Sequence, residues 1–224
     1  MTKHSTLLLL AATLAACSTK TAQTTDTTVP HNAADPDVAV QGTGIPSGYT
    51  AITDDATAQI TNARYAAKDG GWDITTGPAH IIFADKDTAR GAYTASATFA
   101  QQEAPRHPEG YGIFIGGKDL ASPNRVYTYF LVRGNGEVLV KSRAGAKTTD
   151  VLAWRANPSV PKADSAGKAT YKLAIRVAAD SVRFMVNDAQ VGAVKAGSIA
   201  TDGVAGLRVN HNLHVVTAPI TISR

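Results

Sequence analysis

Tyr127-Thr128-Tyr129-Phe130-Leu131-Val132-Arg133 is the stretch whose residue types best suit ligand chemistry. At the period of two that governs a strand, Tyr127, Tyr129, Leu131 and Arg133 share one face. Tyrosine rings stack on the C–H faces of sugars, while their hydroxyls and a guanidinium donate hydrogen bonds. Trp154, beside Arg155, offers a second aromatic platform. The same pattern also serves plain packing: Phe130, Val132 and Leu139 fill a core, and the tyrosines cover the opposite face of the sheet. Lys141 and Arg143 then continue as a solvated basic strip.

Catalytic chemistry finds less to work with. The chain has three glutamates, Glu103, Glu109 and Glu137, and two of them fall in the proline-rich stretch 101–110, where they read as loop charges beside a groove. Among the histidines, His80 and His107 stand alone. His211 and His214 are three apart, which on a strand sends them to opposite faces and defeats chelation. No Gly-x-Ser-x-Gly elbow and no glycine-rich phosphate loop occurs, so neither a metal nor an organic cofactor is expected.

The one cysteine, Cys17, follows Lys3 and His4, an apolar run from Leu7 to Leu14, and the small residues Ala15 and Ala16. A basic start, an apolar stretch and small residues before a cut make a secretory signal over residues 1–16. Leu14-Ala15-Ala16-Cys17 also resembles the lipobox of bacterial lipoproteins, where the thiol is the nucleophile that takes up a diacylglyceryl group. That resemblance implies an acylated Cys17 anchored in a membrane, since two or more acyl chains turn weak adsorption into stable attachment. Ser18, where an aspartate would favour the inner membrane, implies sorting to the outer membrane in a Gram-negative host.

Residues 17–47 are rich in Thr, Ala, Asp, Pro and Gly and carry few large apolar groups, so they are expected to form a disordered, flexible linker. Such a linker spans roughly 30 Å as a coil. Charge divides unevenly: residues 17–70 hold three basic against six acidic side chains, and residues 71–224 hold eighteen against twelve. No run of adjacent Lys or Arg accompanies the basic part, which excludes a nucleic-acid partner. With 224 residues of which 44% are hydrophobic, the chain is long enough to bury a large core.

From residue 48 onward the pattern is short alternating runs separated by turns. Tyr93, Ala95, Ala97 and Phe99 alternate with polar residues, as do Tyr171, Leu173, Ile175 and Val177, and Val182, Phe184 and Val186. Further strands are expected at 72–75, 80–83, 111–115, 126–133, 137–143, 204–209 and 215–222. Asn135-Gly136 and Asn187-Asp188 mark hairpin turns. About a dozen strands without helical periodicity predict an all-β fold, an antiparallel two-sheet jelly-roll sandwich over residues 48–224.

Five pieces in order, Gly71-Trp72-Asp73-Ile74, Tyr111–Gly117, Tyr129–Arg133, Val182–Asn187 and Gly203–Val209, resemble the concanavalin A-like lectin/glucanase superfamily, especially its laminin-G-like and 3-keto-disaccharide-hydrolase-like branches. The resemblance implies a jelly roll whose concave sheet handles carbohydrate. Its glucanases carry Glu-x-Asp-x-x-Glu on one strand, and that motif is missing here. Three functions therefore stay open. The first is a lipid-anchored cell-envelope protein that binds a glycan or other envelope component through Tyr127, Tyr129, Arg133 and Trp154 without catalysis. The second is a keto-disaccharide-type glycoside hydrolase, and the third a structural or assembly protein of the envelope.

Overall fold

The structure is a computed structural model that describes residue 1, residues 36–38, 40 and 42, and residues 44–224. Nearly all of the expected signal peptide, Cys17, Ser18 and most of the expected linker lie outside the described residues.

The described chain is all-β, with one short 3-10 turn at Ile60–Asn62. Two antiparallel sheets pack face to face. One has seven strands in the order β1 (Thr50–Thr53), β4 (His80–Ala89), β13 (Gly203–Val209), β6 (Tyr111–Lys118), β7 (Val126–Val132), β8 (Glu137–Ala144) and β9 (Lys147–Ala156). The other runs β12 (Ala189–Lys195), β11 (Ser181–Val186), β10 (Ala169–Val177), β5 (Tyr93–Gln101), β14 (His214–Thr217), β3 (Gly71–Thr76) and β2 (Ala63–Lys68), and β15 (Thr221–Ser223) also pairs with β5. This is the jelly-roll sandwich that the alternation implies.

Between the sheets, Ile113, Phe130, Val132 and Leu207 from the seven-stranded sheet meet Phe99, Tyr171, Leu173 and Phe184 from the eight-stranded one. Phe130 and Phe184 bring their ring centroids to 5.4 Å. Each such side chain stabilises the fold by about 1.5–3 kcal/mol when fully buried. The seven-stranded sheet is apolar on its outward face as well, where Ile81, Phe83, Phe114, Leu120, Tyr127, Tyr129, Leu131 and Leu139 form a second cluster. Leu139 therefore does not join Phe130 and Val132 in the core. It pairs with Leu131 across β7 and β8, and cross-strand partners share a face, so Val138 and Val140 point inward instead.

The turns divide the labour differently from the sequence pattern. In Arg133-Gly134-Asn135-Gly136 only the glycines are free of side chains, and only Gly136 takes a positive φ, +89°, while its N–H donates to the Arg133 carbonyl at 3.0 Å. The two-residue turn with both residues left-handed is Asn187-Asp188, at φ 48° and 67°. The expected run 215–222 breaks into β14 and β15. β9 escapes the alternation because Lys147-Thr148-Thr149-Asp150 is polar and the strand lies at a sheet edge.

Candidate functional site

β13 is a central strand of the seven-stranded sheet, flanked by β4 and β6. Its Ala205, Leu207 and Val209 point into the core. Period two then forces Arg208 outward, onto the second apolar cluster, where its side chain is only 3% exposed. A guanidinium buried to that degree needs compensation. Its Cζ lies 4.5 Å from the centroid of the Tyr129 ring, and its two terminal nitrogens donate to Asp54, Nη1 to Oδ1 at 2.9 Å and Nη2 to Oδ2 at 2.5 Å.

Asp54 sits just past the end of β1, where its backbone N–H donates to the Ala79 carbonyl at 2.9 Å. Arg143 of β8 adds a third bond to its carboxylate, Nη1 to Oδ1 at 3.1 Å. Arg125 clamps the backbone beneath, donating to the Thr53 and Asp54 carbonyls at 3.1 and 3.2 Å. Burial by itself would raise the Asp54 carboxyl, but Arg208, with Arg143 and Arg125 behind it, overrides that effect and holds it at about 2. Burial works against the charge on Arg208 in the same way, and Asp54 again prevails, so its pKa rises well above the ordinary value. Tyr129 is pushed up to about 12, first of all by burial.

This group forms one wall of a cavity of about 290 Å³. That is just under the range of ligand pockets, about 300–1,000 Å³. Glu109, Asn210 and His211 also line the cavity. Asn210 Nδ2 donates to Glu109 Oε2 at 3.1 Å, and His211 Nε2 lies 3.0 Å from Glu109 Oε1. Glu109 is thus built into the wall rather than solvated as a loop charge. Two buried polar atoms among these residues, Arg208 Nε and Asn210 Oδ1, have no hydrogen-bond partner among the described residues.

The chain ahead of the domain also reaches this place. Val38 N–H donates to Asn212 Oδ1 at 2.9 Å, and Asn212 Nδ2 donates to the Pro36 carbonyl at 3.0 Å. Asp37, held between these two bonds, lines the cavity with its Oδ1 3.3 Å from His211 Nδ1. Below the cavity floor at Pro78 and Ala79, His80 is fully buried and its pKa falls to about 4, chiefly through burial. Its Nδ1 donates to the Pro78 carbonyl at 2.9 Å, which leaves Nε2 to accept from the Tyr65 hydroxyl of the other sheet.

The residues singled out by spacing do share the outward face, but with different exposure. Tyr127 is fully buried, its ring 5.4 Å from Phe114 and 5.7 Å from Tyr129. Tyr129 lines the cavity beneath Arg208. Arg133 lies over the half-buried Trp154, with Cζ 3.7 Å from the ring centroid, and these two flank the cavity rather than line it. Lys141 is buried and bonds Asp150 at 3.1 Å, and Arg143 is spent on Asp54, so the basic strip is an ion-paired one. His211 lies in the turn after β13 and His214 begins β14, where it reaches Asp73 at 2.9 Å, so the two histidines serve separate carboxylates. Among the described residues no group of three His, Cys, Asp or Glu side chains is placed to hold a metal.

Asp54, Glu109, Arg208 and Asn210 are what spacing misses. Only Arg208 leaves a trace in the sequence, as the one charge in the otherwise apolar strand Gly203-Val204-Ala205-Gly206-Leu207-Arg208-Val209.

No protein-family model matches the chain, and no curated protein matches it in sequence. Solved structures share its fold. The carbohydrate-binding module CBM66 from Bacillus subtilis aligns with a TM-score of 0.57 at 14% identity, covering 82% of this chain and 99% of that one. A Bacillus subtilis protein of unknown function with a galectin-like fold also gives 0.57, at 13% identity, covering 78% of this chain and 88% of that one. In fold, the chain is similar to these lectin-like β-sandwiches.

Proposed function

We propose that the cavity beside Arg208 holds a sugar unit, and that the protein binds a glycan or glycan-bearing envelope component without changing it chemically. One observation carries this reading. Arg208 Nε and Asn210 Oδ1, on cavity-lining side chains more than nine-tenths buried, are a donor and an acceptor without partners among the described residues. A sugar hydroxyl can both accept from a guanidinium and donate to an amide oxygen, and a buried polar group left unpaired costs about 1–3 kcal/mol. Tyr129, Glu109 and His211 give the same cavity an aromatic surface and further polar partners. The fold shared with a carbohydrate-binding module supports the reading. Hydrolysis of a glycoside fits less well. A retaining pair needs one carboxylate free to attack and one carboxyl free to donate its proton, and here Arg208 and Arg143 occupy the Asp54 oxygens while Asn210 and His211 occupy those of Glu109.

The lipid anchor completes the proposal: acyl chains on Cys17 hold the domain in the cell envelope, at the outer membrane of a Gram-negative host as Ser18 implies. Its support is the order of basic start, apolar run, small residues and lone cysteine.

The test of binding uses the chain from residue 17 with Cys17→Ser. Calorimetry against glucose, galactose, arabinose, fructose and N-acetylglucosamine, with their di- and trisaccharides and peptidoglycan fragments, should find at least one ligand, and Asn210→Ala should weaken it at least tenfold. Failure of the whole set to bind, or an Asn210→Ala variant that binds as well as the parent, overturns the reading.

A further inference from the structure

We infer that the binding site continues past the Arg208 cavity onto the indole of Trp154, so that the protein grips at least two adjoining sugar units. The inference rests on the glycan reading above and adds the length of chain recognised.

Glu109 and Gly110 are neighbours in sequence, and they face different things. The Glu109 carboxylate belongs to the cavity wall. A Cβ placed on Gly110 would lie 3.0 Å from Trp154 Cη2 and 3.2 Å from Cζ2, so the edge of the indole lies against this residue. The residue whose carboxylate walls the cavity is therefore followed directly by the residue on which the indole lies. Any side chain at residue 110 would displace the indole or Leu131, so the glycine lets the ring lie close against the chain next to Glu109.

Trp154 projects from the edge strand β9 and packs on the second apolar cluster, yet stays half-buried rather than closed over. Arg133 holds it in place. Its guanidinium lies 3.7 Å from the ring centroid and is tied to Glu137 Oε2 at 3.4 Å, which Asn135 Nδ2 binds in turn at 2.8 Å. The two halves suit the two kinds of surface on a sugar chain. Hydroxyl groups at ring edges meet the donors and acceptors of the cavity, and an apolar C–H face meets the indole. A single sugar in the cavity leaves Trp154 untouched.

The experiment takes whichever sugar of the series named above binds and compares its mono-, di- and trisaccharide. In the parent protein the trisaccharide should bind about tenfold more tightly than the monosaccharide. Trp154→Ala should remove that gain while leaving monosaccharide affinity unchanged, and Trp154→Phe should keep part of it. A second readout leaves the platform intact. The chain has two tryptophans, so Trp72→Phe makes Trp154 the sole indole, and its emission should change on saturation with trisaccharide but not with monosaccharide. A trisaccharide bound no more tightly than the monosaccharide, a Trp154→Ala protein that keeps the tenfold gain, or unchanged Trp154 emission at saturation overturns the inference. If no sugar binds the parent at all, the glycan reading itself has failed, a result distinct from sugars that bind without Trp154.

Discussion

Arg208 and Asp54, 154 positions apart in the chain, meet in a two-point ion pair on the outward face of the seven-stranded sheet. Arg208 arrives on a central strand and Asp54 on the loop that leaves the edge strand β1. The pair therefore ties a loop to the middle of a sheet that would otherwise present bare aromatic surface. Arg143 and Arg125 converge on the same residue, one on its carboxylate and the other on its backbone. The carboxylate is the centre of the arrangement, and the guanidinium groups are its spokes.

Removing the centre should cost more than removing a spoke. Breaking a buried ion pair by deleting one partner costs about 3–5 kcal/mol. Asp54→Ala leaves the buried Arg208 without its anion and also takes the carboxylate from Arg143, and should reach that range in urea unfolding. Arg208→Met leaves Asp54 paired with Arg143 and replaces a buried charge by an apolar side chain of similar length, so it should cost distinctly less. Equal losses for both variants would refute the asymmetry.

Acid should destabilise the fold in two steps. His80 titrates at about 4 in the folded chain and 6.5 when unfolded, so only the unfolded state takes up a proton in that window. Its contribution is complete above pH 6.5 and is lost as pH falls toward 4. Asp54 titrates at about 2 folded and 3.8 unfolded, so its contribution is complete above pH 3.8 and lost below that, toward 2. Urea midpoints measured from pH 7 to pH 2 should show both declines. His80→Gln should flatten the upper one and leave the lower.

Gly206 is required by close approach rather than by backbone conformation. A Cβ there would lie 2.4 Å from the Ile82 carbonyl oxygen and 2.6 Å from Phe114 Cε1. Gly206→Ala should destabilise by about 1–3 kcal/mol through forced displacement of β4 and the Phe114 ring. A thermal midpoint unchanged from the parent would contradict this.

Cys17→Ser should move the protein from the membrane fraction to the soluble fraction of cells that process lipoproteins. Mass spectrometry of the parent should find acyl chains on a mature chain that begins at residue 17. An unmodified thiol would end the anchoring proposal.

The sandwich was legible because burial on one face imposes a period of two. That signal survives unbroken in β5 from Tyr93 to Phe99 and, interrupted only by Ala174 and Met185, in β10 and β11, whereas β7 is buried on both faces and ends in three consecutive apolar residues. It fails for β9, whose polar first half lies at an edge, and for Leu139, which the pattern alone cannot assign to one of two apolar faces. The common face of Tyr127, Tyr129 and Arg133 follows from the same period. Their differing exposure does not, because it depends on Arg208 and Asp54 arriving from distant segments. Glu109 in a proline-rich loop looks solvated until Asn210 and His211, about a hundred positions later, close on it.

The fastening of residues 36–38 by Asn212 has a mechanical consequence. Among the described residues, two hydrogen bonds to Asn212 and the Asp37–His211 contact hold this segment, whereas each strand behind it is held by a ladder. A pull on the chain ahead of Pro36 would peel these residues away first, drawing Asp37 from His211 while both sheets stay loaded only weakly. The attachment point is thus a fuse placed beside the cavity, and tension along the chain would reshape the cavity rim well before it unfolds the domain.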